Sequence, residues 1–120
     1  MIIGESNMAF QRGDVVLLPF PYTDLTTTKT RPAVVVSSDY YHAIRSELLL
    51  AYVSSQVSKA HNTLDYILAD WEQAGLLKPS FVRPKIAAID PSLIVYHVGK
   101  LSTQDLQKVD HCLRRALDLP

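Results

Sequence analysis

The chain has 120 residues, of which 48% are hydrophobic and 20% charged; that is the composition of one soluble globular domain, with no room for a second core or for extended disorder. Lys plus Arg and Asp plus Glu are balanced at 12 each, so no long-range field gathers nucleic acid or an anionic membrane, and any polyanion site must be a local cluster. The single cysteine, Cys112, excludes an internal disulfide, and the four histidines (His42, His61, His97, His111) have no second thiol with which to build a zinc cluster. These features fit a reducing, cytoplasmic setting with no metal and no cofactor. The longest purely apolar run, residues 48–53, is far shorter than the ~20 residues a membrane helix needs, so no membrane partner is expected.

Residues 1–10 read as a flexible leader and residues 11–120 as a single domain. Residues 14–18 form a β-branched, leucine-rich strand closed by Pro19 and Pro21; residues 32–36 form another, opened by Arg31 and closed by Ser37, Ser38 and Asp39. The polar stretch PFPYTDLTTTKT between them lacks apolar periodicity and is expected to be an exposed, mobile loop. Residues 48–53 are apolar without alternation, as in a strand buried on both faces, and the run stops abruptly at Ser54, Ser55 and Gln56. Residues 63–68 are expected as a fourth strand, 70–74 as one helical turn stopped by Gly75, 81–89 as a fifth strand interrupted by Pro84, and 93–98 as a sixth.

Beyond Gly99 the period changes to 3.6, with Leu106, Val109, Leu113, Ala116 and Leu117 on one face and Cys112 beside them. Ser102 stands at the N-cap with Asp105 three residues on, close to a capping box, and Arg114 and Arg115 occupy the last turns, where the helix dipole favours cations. Short strands joined by turns and followed by one helix predict a mainly β fold with α: a small antiparallel barrel or curled sheet with a C-terminal helix packed on it.

The order of particular residues says more. RGDVVLLPFPYTDLTTTKTRPAVVVSS, residues 12–38, resembles the MazF/PemK family of toxin endoribonucleases, in which an R-G-D/E strand, a variable loop and an R-P-a-V/L-V-V strand follow one another. The resemblance continues through LLLAYVSSQVSK, GLLKPSFVRPK and IDPSLIVYHVGKLS into the C-terminal helix, and covers nearly all of residues 12–119. It implies an SH3-like β-barrel of the MazF/CcdB kind and the toxin role in a type II toxin-antitoxin system. It also implies a homodimer that cleaves single-stranded RNA without a metal, by attack of a ribose 2′-OH to leave a 2′,3′-cyclic phosphate and a 5′-OH. A cognate antitoxin with an acidic and apolar disordered segment is expected to block the same groove.

Arg31, the first residue of R-P-a-V, matches the family's catalytic arginine; a guanidinium's planar fork suits the charge that builds on a phosphorane, and preorganised donors of this kind are worth on the order of 3–4 kcal/mol of barrier. Ser54 aligns with the family's catalytic threonine and keeps its hydroxyl, while the bland alternative is a strand-terminating hydroxyl bonded to its own backbone. Gln56, Ser55 and Lys59 are expected to contact substrate, with Ser55 on the opposite side of the strand from Ser54. Thr23 and Asp24 lie in the loop expected to cover the site. Arg83 matches a second cluster carried by some members, whose acidic position here reads Lys85, and Lys85 is expected to contact phosphate instead. No histidine stands where some relatives place a catalytic one, so the general base is unassigned.

Asp14 is expected to orient a loop or pair with a cation, and Tyr52, Tyr66 and Trp71 to serve in the core or at a dimer contact rather than to stack bases. A gyrase-poisoning toxin of the same fold, or a decoy that binds without cutting, is the rival reading; the intact R-P-a-V motif and the Asp118, Leu119, Pro120 ending argue against the first.

Overall fold

The computed structural model describes residues 9–19 and 29–120. Residues 1–8, most of the expected leader, and residues 20–28, which include Thr23, Asp24 and most of the expected loop, lie outside the described residues. Among the described residues one antiparallel sheet is formed by β1 (Asp14–Pro19), β2 (Thr30–Val35), β3 (Leu48–Ser54), β4 (Tyr66–Ile67), β5 (Phe81–Ile89) and β6 (Tyr96–Lys100). Their spatial order is β4-β5-β3-β2-β1-β6, so β4 and β6 are the edges and the sheet curls without closing. A short helix, α1 (Asp39–Ile44), joins β2 to β3, and α2 (Thr103–Leu117) follows β6. The expected mainly β curled sheet with a C-terminal helix is the architecture found.

Apolar layers cover both faces, which is why the central strands are rich in Val and Leu without clean alternation. On one face Val15, Val34, Ala51, Val53 and Val82 pack with Leu101 and with Val109 of α2. On the other, Val16, Leu18, Ala33, Val35, Leu48 and Leu50 form a second layer, against which Phe10 is packed.

Two prolines interrupt this sheet where a ladder would otherwise continue. The β2–β3 register runs Val35 to Leu50, Val34 to Ala51 and Ala33 to Tyr52, and ends one residue short of Pro32, which has no N–H to donate. In β5, Arg83 pairs with Tyr52 and Ile86 with Ala51, so Pro84 and Lys85 are the extra residues of a bulge. Both interruptions fall near the same end of the sheet.

Ser102 caps α2 by accepting from the Asp105 N–H at 3.1 Å. The returning arm of a capping box is replaced by a longer reach. The fully buried Asp105 carboxylate accepts from the Tyr66 hydroxyl at 2.7 Å and from the backbone N–H groups of Ala69 at 3.2 Å and Asp70 at 2.8 Å. Burial, reinforced by this carboxylate, raises the Tyr66 pKa above its ordinary value of 10. The expected turn over residues 70–74 follows, with the Ala74 N–H bonded to the Asp70 carbonyl at 3.1 Å and Gly75 at φ +88° ending it.

Four expectations are corrected. The fourth strand is only Tyr66–Ile67, because His61 Nδ1 accepts from the N–H groups of Thr63 and Leu64, each at 3.2 Å, and Asp65 accepts from the His61 N–H, folding the preceding residues into a turn. The sixth strand begins at Tyr96 rather than 93, because Asp90 and Pro91 start a 3-10 turn over Pro91–Leu93. Ser38, expected to close a strand, caps the unanticipated α1 by accepting from the Tyr41 N–H at 3.1 Å. Ala116 and Leu117 are exposed, because the last turn of α2 extends past the layer that holds Leu106 and Leu113.

Candidate active site

The C-terminal end of β3 and the N-terminal ends of β2 and β5 meet at one end of the sheet. Pleating places Arg31 on the same face as Ala33, and Ser54 on the same face as Tyr52. Because Ala33 and Tyr52 are paired, all four side chains share that face. Across the β3–β5 ladder, Tyr52 pairs with Arg83 and Ser54 with Phe81, which adds both β5 residues to it. Arg31, Ser54 and Arg83 therefore converge from three different strands.

Tyr52 stands between the two arginines. Arg31 Nη1 lies 3.5 Å from the Tyr52 hydroxyl, a long contact. The Arg83 guanidinium carbon lies 6.0 Å from the Tyr52 ring centroid and 5.6 Å from that of the buried Phe81, within cation–π range of both. Among the described residues no carboxylate is within ion-pair distance of Arg31 or Arg83. Two cations elsewhere are tied up locally: Arg12 is paired with Asp110, and Lys100 lies 3.8 Å from Asp14, which also lies 3.5 Å from His97 and accepts from the Gln11 N–H at 2.8 Å. Asp14 thus has the structural role expected of it.

Ser54 Oγ accepts from the Gln56 N–H at 3.1 Å. That local bond is the bland alternative, and it is present; it also orients the hydroxyl and leaves its proton to donate to a ligand. The Gln56 side chain is exposed and starts a 3-10 turn, Val57–Lys59, which carries Lys59 out to solvent. Ser55 turns to the reverse of the sheet, where it lines an apolar pocket of about 420 Å³ with Leu17, Pro32, Leu76, Tyr96 and Val98. Lys85 is exposed in the β5 bulge. Thr23 and Asp24 lie outside the described residues.

Tyr66 and Trp71 belong to the core, as expected, whereas Tyr52 joins the arginine cluster. Two signals could have found it: Tyr52 is two residues before Ser54, hence on its face, and Arg83 is one residue before the proline that sets the β5 bulge. Among the described residues no group of His, Cys, Asp or Glu side chains is placed to hold a metal ion.

Among the described residues the end of this curled sheet carries two guanidiniums without acidic partners next to a serine hydroxyl, a set of donors whose chemistry suits a phosphodiester. A profile of the PemK-like, MazF-like toxins of type II toxin-antitoxin systems matches residues 11–117, and the chain belongs to that family. No curated protein matches it in sequence.

Solved structures share its fold at low identity. An endoribonuclease from a mycobacterial species superposes with a TM-score of 0.74 at 15% identity, covering 93% of this chain and 94% of that one. A mycobacterial endoribonuclease in complex with its cognate antitoxin gives 0.74 at 16%, covering 92% and 97%. MazF from Deinococcus radiodurans gives 0.70 at 21%, also covering 92% and 97%.

Proposed function

We propose that this chain is an endoribonuclease toxin that cuts single-stranded RNA without a metal. The observation that carries the reading is the convergence of Arg31, Arg83 and Ser54 at one end of the sheet, with no carboxylate to neutralise either guanidinium among the described residues. Arg31 donates to the non-bridging oxygens of the scissile phosphate, where charge grows in the transition state. Ser54, its oxygen held by the Gln56 N–H, donates its proton to the same phosphate or orients the attacking ribose.

The 2′-oxygen forms a bond to phosphorus as its proton leaves, and the bond from phosphorus to the 5′-oxygen breaks. The products are a 2′,3′-cyclic phosphate and a 5′-OH that has gained a proton. Among the described residues no carboxylate lies within ion-pair distance of Arg31 or Arg83, and the base that accepts the first proton is left unassigned. Lys59, Lys85 and Gln56, with Thr23 and Asp24, extend the contacts along the RNA, whereas Ser55, on the reverse of the sheet, is left out of them.

The working form is a cytoplasmic homodimer inhibited by a cognate antitoxin. Support for the antitoxin comes from family membership and from fold neighbours solved with one, including MazE-MazF of Deinococcus radiodurans. Among the described residues no helix is long and apolar enough to cross a membrane.

The test is incubation of purified, antitoxin-free protein with a long single-stranded RNA in EDTA, with cut sites and end chemistry mapped. Discrete cuts with 5′-OH ends are expected from the wild type. Arg31→Ala should slow them by about 10²- to 10³-fold while melting with the wild type, since it breaks no ion pair among the described residues. RNA left intact, or protected, by folded wild-type protein would overturn the nuclease reading in favour of the decoy.

A further inference from the structure

We propose that Tyr52 is a positioning residue that presents Arg31 and Arg83 together to one phosphodiester; the inference rests on the endoribonuclease reading. Two guanidiniums brought to the same end of a sheet repel each other, and the usual remedy, a carboxylate between them, would cancel the charge that an RNA phosphate needs. Tyr52 offers a different remedy. Its hydroxyl oxygen can accept from one guanidinium and its ring face can carry the other, and neither interaction neutralises a charge.

The geometry matches that division of labour. Arg31 Nη1 is 3.5 Å from the Tyr52 oxygen, and the Arg83 guanidinium is 6.0 Å from the ring centroid. Both distances are at the outer limit of their interaction, so each guanidinium is guided without being held back from a ligand. Register fixes the arrangement: Tyr52 is paired on one side with the small, buried Ala33 and on the other with Arg83, directly before the Pro84 bulge. Phe81, paired with Ser54 and 5.6 Å from Arg83, supports that guanidinium from the ladder position beyond.

A double-mutant cycle tests the coupling. Single-turnover cleavage of a short oligoribonucleotide containing one mapped cut site is followed for the wild type, Tyr52→Leu, Tyr52→Phe, Arg83→Ala and the Tyr52→Leu/Arg83→Ala pair. Thermal unfolding is recorded for each. Tyr52→Leu removes both arms and should slow cleavage by about 4- to 25-fold, taking about 2- to 5-fold per arm. With Arg83 already replaced by Ala, the same substitution should cost about 2- to 5-fold less. Tyr52→Phe keeps the ring, so it should lose only the Arg31 arm and retain its coupling to Arg83.

A Tyr52→Leu effect of equal size in both backgrounds, or an equal coupling to Lys78→Ala beside the pocket on the reverse face, would overturn the assignment, because a merely structural residue behaves that way. If Tyr52→Leu does not fold at the assay temperature, Tyr52→Met takes its place in the cycle under the same criteria. Wild-type protein that cuts no RNA removes the underlying function and this inference with it. Wild-type protein that cuts, with an additive cycle, removes only the role of Tyr52.

Discussion

Replacing Asp105 tests a buried carboxylate that ties α2 to residues 66–70. Its carboxylate is fully buried, and its two oxygens take three donors: Oδ1 accepts from the Tyr66 hydroxyl and the Ala69 N–H, and Oδ2 from the Asp70 N–H. In Asp105→Asn one oxygen keeps the first two bonds while the amide NH₂ faces the Asp70 N–H, donor against donor. Losing one charge-assisted bond and stranding that N–H costs about 2–3 kcal/mol. Asp105→Ala loses all three bonds but regains some helix propensity, for a net cost of about 3–5 kcal/mol. At ~4 °C per kcal/mol for a domain of this size, the melting temperature should fall by about 10 °C for Asn and about 12–20 °C for Ala. Circular dichroism melts measure both. The Ser102 cap uses the backbone N–H of residue 105 and survives in each variant, so the loss belongs to the carboxylate. Asp105→Ala within about 1 kcal/mol of wild type, or Asp105→Asn indistinguishable from it, would refute the account.

Ser54→Thr restores a methyl that restricts χ1 while keeping the oxygen bonded by the Gln56 N–H, and should raise the single-turnover cleavage rate about 2-fold; a slower enzyme would show that the extra methyl obstructs substrate. Burial holds the His42 pKa below its ordinary 6.5, against weaker upward pulls from Asp39, the Phe10 backbone and Asp14, with Nε2 located 2.5 Å from Ser37 Oγ. A depressed pKa means stability present above about pH 6.5 and lost as the pH falls through the folded value, so urea melts of wild type should lose more between pH 7 and pH 5 than those of His42→Gln. Equal losses in the two proteins would count against His42 as the source. A Cβ on Gly99 would stand 2.3 Å from the Ala74 carbonyl oxygen, backbone against backbone, so Gly99→Ala should cost at least ~3 kcal/mol by thermal unfolding, and a variant that melts with wild type would show that the turn over residues 70–75 can shift away from β6.

The features legible in the sequence were those set by neighbours along the chain. Ser102 caps α2 because a hydroxyl there reaches an N–H three residues on, and Pro84 disrupts β5 because a proline has no N–H wherever it falls. The R-P-a-V and S-S-Q segments could be placed at strand ends for the same local reasons, and the resemblance assigned Arg31 and Ser54 their roles. Ser38, expected only to help close a strand, also starts a helix, since a hydroxyl that ends one element can equally cap the next. The features that escaped depend on residues far apart in the chain. The partners of the Asp105 carboxylate are 35 to 39 residues earlier, and only the folded register could show that it would pin them rather than complete a capping box. For Tyr52 the sequence shows a shared face with Ser54 and a proline beside Arg83, but which β5 residue it pairs with depends on the size of the bulge, which only the folded register shows.

Zero net charge and a polyanionic substrate are compatible because the charges are not distributed alike. Away from the sheet end, three cations are spent on the fold: Arg12 pairs with Asp110, Lys100 bonds Gln11 and faces Asp14, and Arg115 donates to the Thr63 carbonyl at 2.7 Å near the end of α2. At the sheet end, Pro32 halts the β2–β3 ladder, the Pro84 bulge offsets β5, and among the described residues the guanidiniums there contact a phenol and two aromatic ring faces instead of carboxylates. Attraction that operates only within about a Debye length, ~8 Å at physiological salt, cannot draw RNA from afar. It acts after contact, on the phosphate that has reached the site, and so favours discrimination among bound strands over speed of capture.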